Sequence, residues 1–79
     1  MLGQTATRPT TEAFQRGMSW GKQGIFRGNL HVEPSEEGVV EIIQNLIEFA
    51  QEGHLTNEQL RQDVGIVVGF VLAHPHVFS

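Results

Sequence analysis

The sequence predicts a small α+β fold that is mostly helical and is completed by homo-oligomerisation. Two segments carry helix signals at both ends, at about residues 35–52 and 57–73, and they predict an antiparallel helical hairpin. A Gly-Asn pair between two runs of strand-favouring residues predicts a short β-hairpin at 24–33. The 79-residue chain has no cysteine, so its stability must come from packing, which at this length often needs a second chain.

The N-terminal segment is predicted to be a mobile arm. Residues 1–11 are small and polar and include Pro9, so they bury too little apolar surface to offset the entropy of ordering. Residues 12–79 then form a single small domain. Thr10 or Thr11 can cap a short helical turn, which Gly17 is expected to limit.

The hairpin is predicted from its turn residues. Gly28 comes first in a two-residue loop with Asn29, as a type II′ turn requires. Two strands alone are marginal in water, so one face of this hairpin is expected to pack on an apolar surface.

The first predicted hairpin helix has clear ends and a wide apolar face. Pro34 and Ser35 precede an acidic first turn, and Gly53 ends the helix. Its apolar residues cover about half of the circumference, more than one neighbouring helix would bury. They are Val39, Val40, Ile42, Ile43, Leu46, Ile47, Phe49 and Ala50.

The second predicted helix begins at a capping motif, in which Thr56 accepts from the amide of Gln59, and ends before Pro75. From residue 64 to 73 it is apolar or glycine on every side, which is typical of a fully enclosed helix. A strip of small residues would let another backbone approach closely. The candidate self-association residues are Gly65, Val68, Gly69, Leu72 and Ala73. The alternative is packing within the chain, where Trp20 or Phe26 needs the space.

Charge divides the chain in two. Residues 1–30 hold four cations against one acid, whereas residues 31–79 hold one cation against eight acids. Four of the acids form a stripe on the first hairpin helix, which has no lysine or arginine: Glu37, Glu41, Glu48 and Glu52. A basic protein partner would relieve their mutual repulsion. The alternative is a solvated face that keeps the protein in solution.

The basic N-terminal segment interleaves cations with aromatic residues, a mixture that can stack on bases and neutralise phosphates. The chain as a whole is acidic, with a pI near 5.4, and matches no nucleic-acid-binding motif. Trp20 and Phe26 are therefore interpreted as anchors of the core or of a partner interface.

Several functions are not expected. Imidazoles at His31, His54, His74 and His76 do not follow the spacing of a metal site. The three serines lie in no nucleophile motif, so neither catalysis nor a cofactor is predicted. The sequence has no signal-peptide pattern and no apolar run long enough to span a bilayer, and we expect a cytoplasmic protein without a membrane contact.

These observations favour a non-enzymatic protein-binding module, such as an adaptor, assembly factor or inhibitor, which acts as a small homo-oligomer through its acidic helix face. Two alternatives remain open: a nucleic-acid-associated accessory protein that uses the basic aromatic segment, and an assembly subunit whose arm docks on its neighbour.

Overall fold

The computed structural model describes residues 2–26 and 31–78, with side chains from residue 11 onward. Three helices follow one another along the chain: α1 (Leu2–Gln23), α2 (Glu36–Gln51) and α3 (Asn57–Leu72). No strand occurs in the described ranges. The protein is therefore a three-helix fold, and the predicted α+β class is wrong.

The predicted β-hairpin is not seen. Its turn, Gly28-Asn29, lies outside the described residues, and residues 25–26 and 31–33 on either side form no strand. Instead, Val32 is buried in the core and Phe26 packs against it from the side. An isolated pair of strands has no sheet to join here, and each apolar side chain gains more by packing on the helices.

The predicted short helical turn is also wrong. Residues 2–11, which were predicted to be a mobile arm, form part of a helix, and their mobility stays a prediction. Helix α1 begins at Leu2 and continues through Gly17 and Gly21 to Gln23. Glycine inside a helix costs about 1 kcal/mol relative to alanine, so local sequence alone argues for a break. Packing against α3 offsets that cost.

Helices α2 and α3 are confirmed at their predicted ends. The hydroxyl of Ser35 accepts from the Gly38 amide at 3.0 Å, and that of Thr56 accepts from the Gln59 amide at 3.1 Å. Gly53, just beyond α2, has a φ of +81°, which a glycine adopts at little cost. Side-chain caps and a left-handed glycine therefore set these boundaries, as the sequence indicates.

The main interface of the fold joins α1 to α3 through glycine. A Cβ added at Gly65 would overlap the main-chain oxygen of Phe14, and one added at Gly69 would overlap that of Met18. From the first contact to the second, the residue number increases by four on both helices, so α1 and α3 run parallel.

The contact is reciprocal. A Cβ at Gly17 or Gly21 would overlap a main-chain oxygen of α3, at Gln62 and Ile66 respectively. Ala13, one turn before Gly17, is fully buried and extends the strip of small residues on α1. Cα–H groups thus face carbonyl oxygens from both sides, a weak attraction that adds to the close packing of the two backbones.

The apolar core lies where the end of α1 and the segment before α2 meet α3. It consists of Val32, Ile42, Ile66 and Phe70. The Phe70 ring packs edge-on to Phe26, with their centroids 5.5 Å apart. Helix α2 enters this core through Ile42 and contacts α3 far less than α1 does.

Candidate functional site

The acidic stripe lies on the solvent side of α2. Glu37, Glu41, Glu48 and Glu52 are all exposed. Glu41 and Glu48 border a shallow depression of about 230 Å³, whose other two sides are Gln44 and Asn45. The last turn of α2 has no basic side chain, so the negative end of the helix dipole adds to the negative field of the stripe. This surface therefore attracts cations.

A row of exposed apolar side chains runs beside the acidic stripe. Val40, Ile43 and Ile47 are 40–50% exposed, and their spacing places them on one face of the helix. Of the large apolar side chains of α2, Ile42 alone is buried. The wide apolar face predicted from the sequence is therefore left largely open, because α2 has only a small contact with α3.

The structure does not bring Trp20 and Phe26 together with the acidic stripe. Both aromatic side chains are half-buried and pack against the core cluster that contains Ile42. That cluster lies on the inner side of α2, whereas the acidic stripe lies on its outer side. Their role as core anchors is the one the contacts support.

The self-association candidates divide into two groups. Gly65 and Gly69 are buried against α1 of the same chain, so the close approach that their spacing predicts occurs within one molecule. The neighbouring backbone belongs to Phe14 and Met18 rather than to the aromatic side chains considered above. The other candidates face outward or partly so: Val68 is half-buried, and Leu72 and Ala73 are exposed.

Helix α1 supplies a charge contact between the basic and acidic parts of the chain. The Arg16 guanidinium lies 3.1 Å from the Glu58 carboxylate and donates from Nε to the Gln62 side chain at 2.8 Å. Both partners of the ion pair are well exposed, so the pair stabilises the fold by at most about 1 kcal/mol. It also occupies one of the cations on which nucleic-acid binding would depend.

The histidines are not assembled into a metal site. Within the described residues, no group of three potential metal-ligating side chains comes together. His74 donates from Nδ1 to the Phe70 carbonyl oxygen at 2.9 Å, and the His54 ring packs on Phe49 with centroids 5.5 Å apart. These two imidazoles therefore have structural contacts at helix ends.

The structure contains a second surface that the sequence patterns described above do not predict. A groove of about 440 Å³ lies where α1 meets the first half of α3, and its lining is mainly apolar: Phe14, Asn57, Leu60, Arg61 and Val64. The signal that could have found it is the four-residue spacing of Leu60, Val64, Val68 and Leu72, which places an apolar ridge along the solvent side of α3.

The fold and these surfaces define a small three-helix protein with one strongly acidic helix. Comparison with family models, with curated proteins and with solved structures finds no match for this chain. Within residues 2–26 and 31–78, none of the helices is both long enough and apolar enough to cross a membrane.

Proposed function

We propose that the protein is a non-enzymatic binding module, an adaptor, assembly factor or inhibitor, which recognises a protein partner with a basic surface through the outer side of α2. The observation that carries the proposal is the apolar row of Val40, Ile43 and Ile47 beside the acidic stripe. A face that only kept the chain in solution would need the charges but not the row.

The two parts of this face have separate roles in binding. Burial of the apolar row supplies affinity, at about 25 cal/mol per Å² of apolar area removed from water. The carboxylates, being exposed at the rim, accelerate association with a basic partner and exclude acidic ones. A basic amphipathic helix has the matching pattern, with apolar residues along one side and lysine or arginine on the flank.

The proposal places the module in the cytoplasm. A chain without cysteine suits that reducing compartment, because its stability does not depend on a disulfide. The nucleic-acid alternative has less support. Arg16 is engaged with Glu58 and Gln62, and the aromatic side chains of Trp20 and Phe26 pack on the core rather than standing free to stack on bases.

The experiment distinguishes the effect of the acidic stripe on binding from the effect of the net charge of the chain. The chain is used to capture partners from nuclease-treated lysate of its source cells, and the association rate of a recovered partner is then measured over a range of salt concentrations. The variant Glu41→Gln/Glu48→Gln removes two stripe charges, and the control Glu12→Gln/Glu33→Gln removes two exposed charges elsewhere.

We expect the stripe variant to associate more slowly and with a flatter salt dependence, whereas the control behaves as wild type. Ile47→Ser should accelerate dissociation instead, because it removes buried apolar contact. Equal rates and salt slopes for the stripe variant and wild type would refute the proposal. Loss of capture on nuclease treatment would favour the nucleic-acid alternative.

A further inference from the structure

The chain exposes more surface than a self-contained domain of its size. Its accessible surface is 5559 Å², whereas a folded monomer of this mass exposes about 4,800 Å². Its radius of gyration is 13.1 Å, against about 11.6 Å for a compact chain of this length. The surplus of roughly 800 Å², taken over the whole chain, is similar in size to the share that one partner buries in a stable protein interface.

Part of the exposed surface lies on the solvent side of α3, opposite the buried Ile66. Leu60, Val64, Val68 and Leu72 follow one another at four-residue intervals and form a ridge, defined here as the α3 ridge. Leu60, Val64 and Leu72 are each more than one-third exposed. Gly65 and Gly69, which contact the main chain of α1, are not among these four positions.

The two ends of the ridge differ in shape. Near its C-terminal end, Leu72 projects into solvent with 57% of its surface exposed, more than any other large apolar side chain described. Near its N-terminal end lies the groove of about 440 Å³ formed by Phe14, Leu60 and Val64. Each molecule therefore carries a projecting side chain and a recess, separated by most of the length of α3.

We propose that a second copy of this chain covers the α3 ridge, in a two-fold dimer in which Leu72 of each copy enters the groove at Phe14, Leu60 and Val64 of the other. A projection and a recess at opposite ends of one helix can both be filled only when the helices cross antiparallel. With the two-fold axis level with Ile66, Leu60 faces Leu72 of the copy and Val64 faces Val68.

Charge agrees with this arrangement. Arg61 is the one charged residue among those that line the groove. In the antiparallel pair it approaches the last turn of the other α3, which has no basic side chain and carries the negative end of the helix dipole. Interdigitating ridges of four-residue spacing form the commonest class of helix crossing. The acidic stripe of α2 takes no part, so the dimer does not depend on the proposed function.

Sedimentation equilibrium over a concentration series tests the proposal with the full chain. Wild type should approach twice the chain mass of 8.8 kDa, and Leu72→Ser should raise the dimer dissociation constant roughly tenfold or more, because it removes a buried apolar side chain from both copies. The matched control Ile47→Ser, at a similarly exposed position on α2, should leave the constant unchanged. Circular dichroism of each variant verifies the fold.

Cross-linking tests the geometry without relying on Leu72→Ser. The chain has no cysteine, so Leu60→Cys and Leu72→Cys each introduce a single thiol. The two positions are about 18 Å apart along α3, well beyond the roughly 7 Å Cα separation that a disulfide spans. A mixture of the two variants should cross-link on mild oxidation, and neither should do so alone.

Three results would overturn the proposal. They are a wild-type chain that stays at 8.8 kDa at every concentration, an equal loss of dimer for Leu72→Ser and Ile47→Ser, and cross-linking of either cysteine variant with itself. The first would show that no second copy covers the ridge, and the third would indicate a parallel arrangement.

Discussion

At the scale of single residues, glycine decides how this chain folds. Gly17 and Gly21 on α1 face Gly65 and Gly69 on α3, and at all four a methyl group would overlap a main-chain carbonyl oxygen of the other helix. Carbonyl oxygens inside a helix cannot move aside as a flexible side chain can, so the whole helix would have to shift. The usual preference of helices for alanine over glycine is therefore reversed at these positions.

Replacing Gly65 by alanine tests that reversal. Gly65→Ala would stabilise an isolated helix by about 1 kcal/mol, but here it should lower the free energy of unfolding by roughly 1–3 kcal/mol, because overpacking separates α1 from α3. The melting temperature should fall by about 4–8 °C per kcal/mol. The change in melting temperature is measured by thermal unfolding, monitored by circular dichroism.

The matched control is Gln15→Ala, at an exposed position of α1. It should change the melting temperature little, since it alters helix propensity by only a few tenths of a kcal/mol. If Gly65→Ala proved as stable as wild type, the close contact between the two backbones would be contradicted.

At the scale of elements, the sequence predicts α2 and α3 well and α1 poorly. Ser35, Thr56 and Gly53 act locally, and local signals of this kind can be read from the sequence alone. The length of α1 depends on contacts between residues far apart in sequence, with Gly17 and Gly21 stabilised as helix only by α3. The repeated four-residue spacing of glycine on α1 and α3 was the available signal.

The candidate site shows the same division between local and long-range information. The acidic stripe of α2 follows from helical periodicity, and its four residues are exposed. The burial of Gly65 against α1, and the exposure of Ile43 and Ile47 on α2, depend on which helices meet. Periodicity identifies an apolar face but does not say which neighbour covers it.

The second prediction concerns the charge of α2. Glu52→Lys should raise stability by roughly 0.5–1 kcal/mol at low ionic strength, because it places a cation at the negative end of the dipole and pairs it with Glu48 one turn earlier. Glu37→Lys makes the same charge change in the first turn, where the dipole favours an acid, and should be less stable than Glu52→Lys.

Urea unfolding of both variants checks this prediction at low salt and at about 1 M salt, where the Debye length is only about 3 Å. The difference between them should shrink at high salt. An equal effect of the two substitutions would show that the position of the charge along α2 does not matter.

At the scale of the whole molecule, the fold consists of one tight pair of helices and a third element with a smaller contact. Helices α1 and α3 are far apart in sequence yet share the main interface. Helix α2 lies between them in the chain and packs on the core around Phe70 through Ile42. This arrangement leaves apolar side chains exposed on the outer sides of α2 and α3. We expect the fold to depend on α1, because the glycines of α3 contact its main chain.

The last prediction tests that dependence directly. A fragment of residues 24–79 should lose most of its helix, since α3 would expose Gly65, Ile66 and Gly69 to water. A peptide of residues 2–23, added in trans, should restore the helix. The peptide contains the single tryptophan of the chain, Trp20, which is half-buried in the intact fold. Its emission should therefore shift to shorter wavelength as the two pieces associate.

A pair of peptide variants makes the test specific to the glycine contact. A peptide with Gly21→Leu should fail to bind, because its side chain would meet the main chain of α3 at Ile66. A peptide with Gln15→Ala, on the exposed side of α1, should bind as well as the natural one. Recovery of helix with the Gly21→Leu peptide would mean that apolar burial alone brings α1 to α3, without the approach of one backbone to the other.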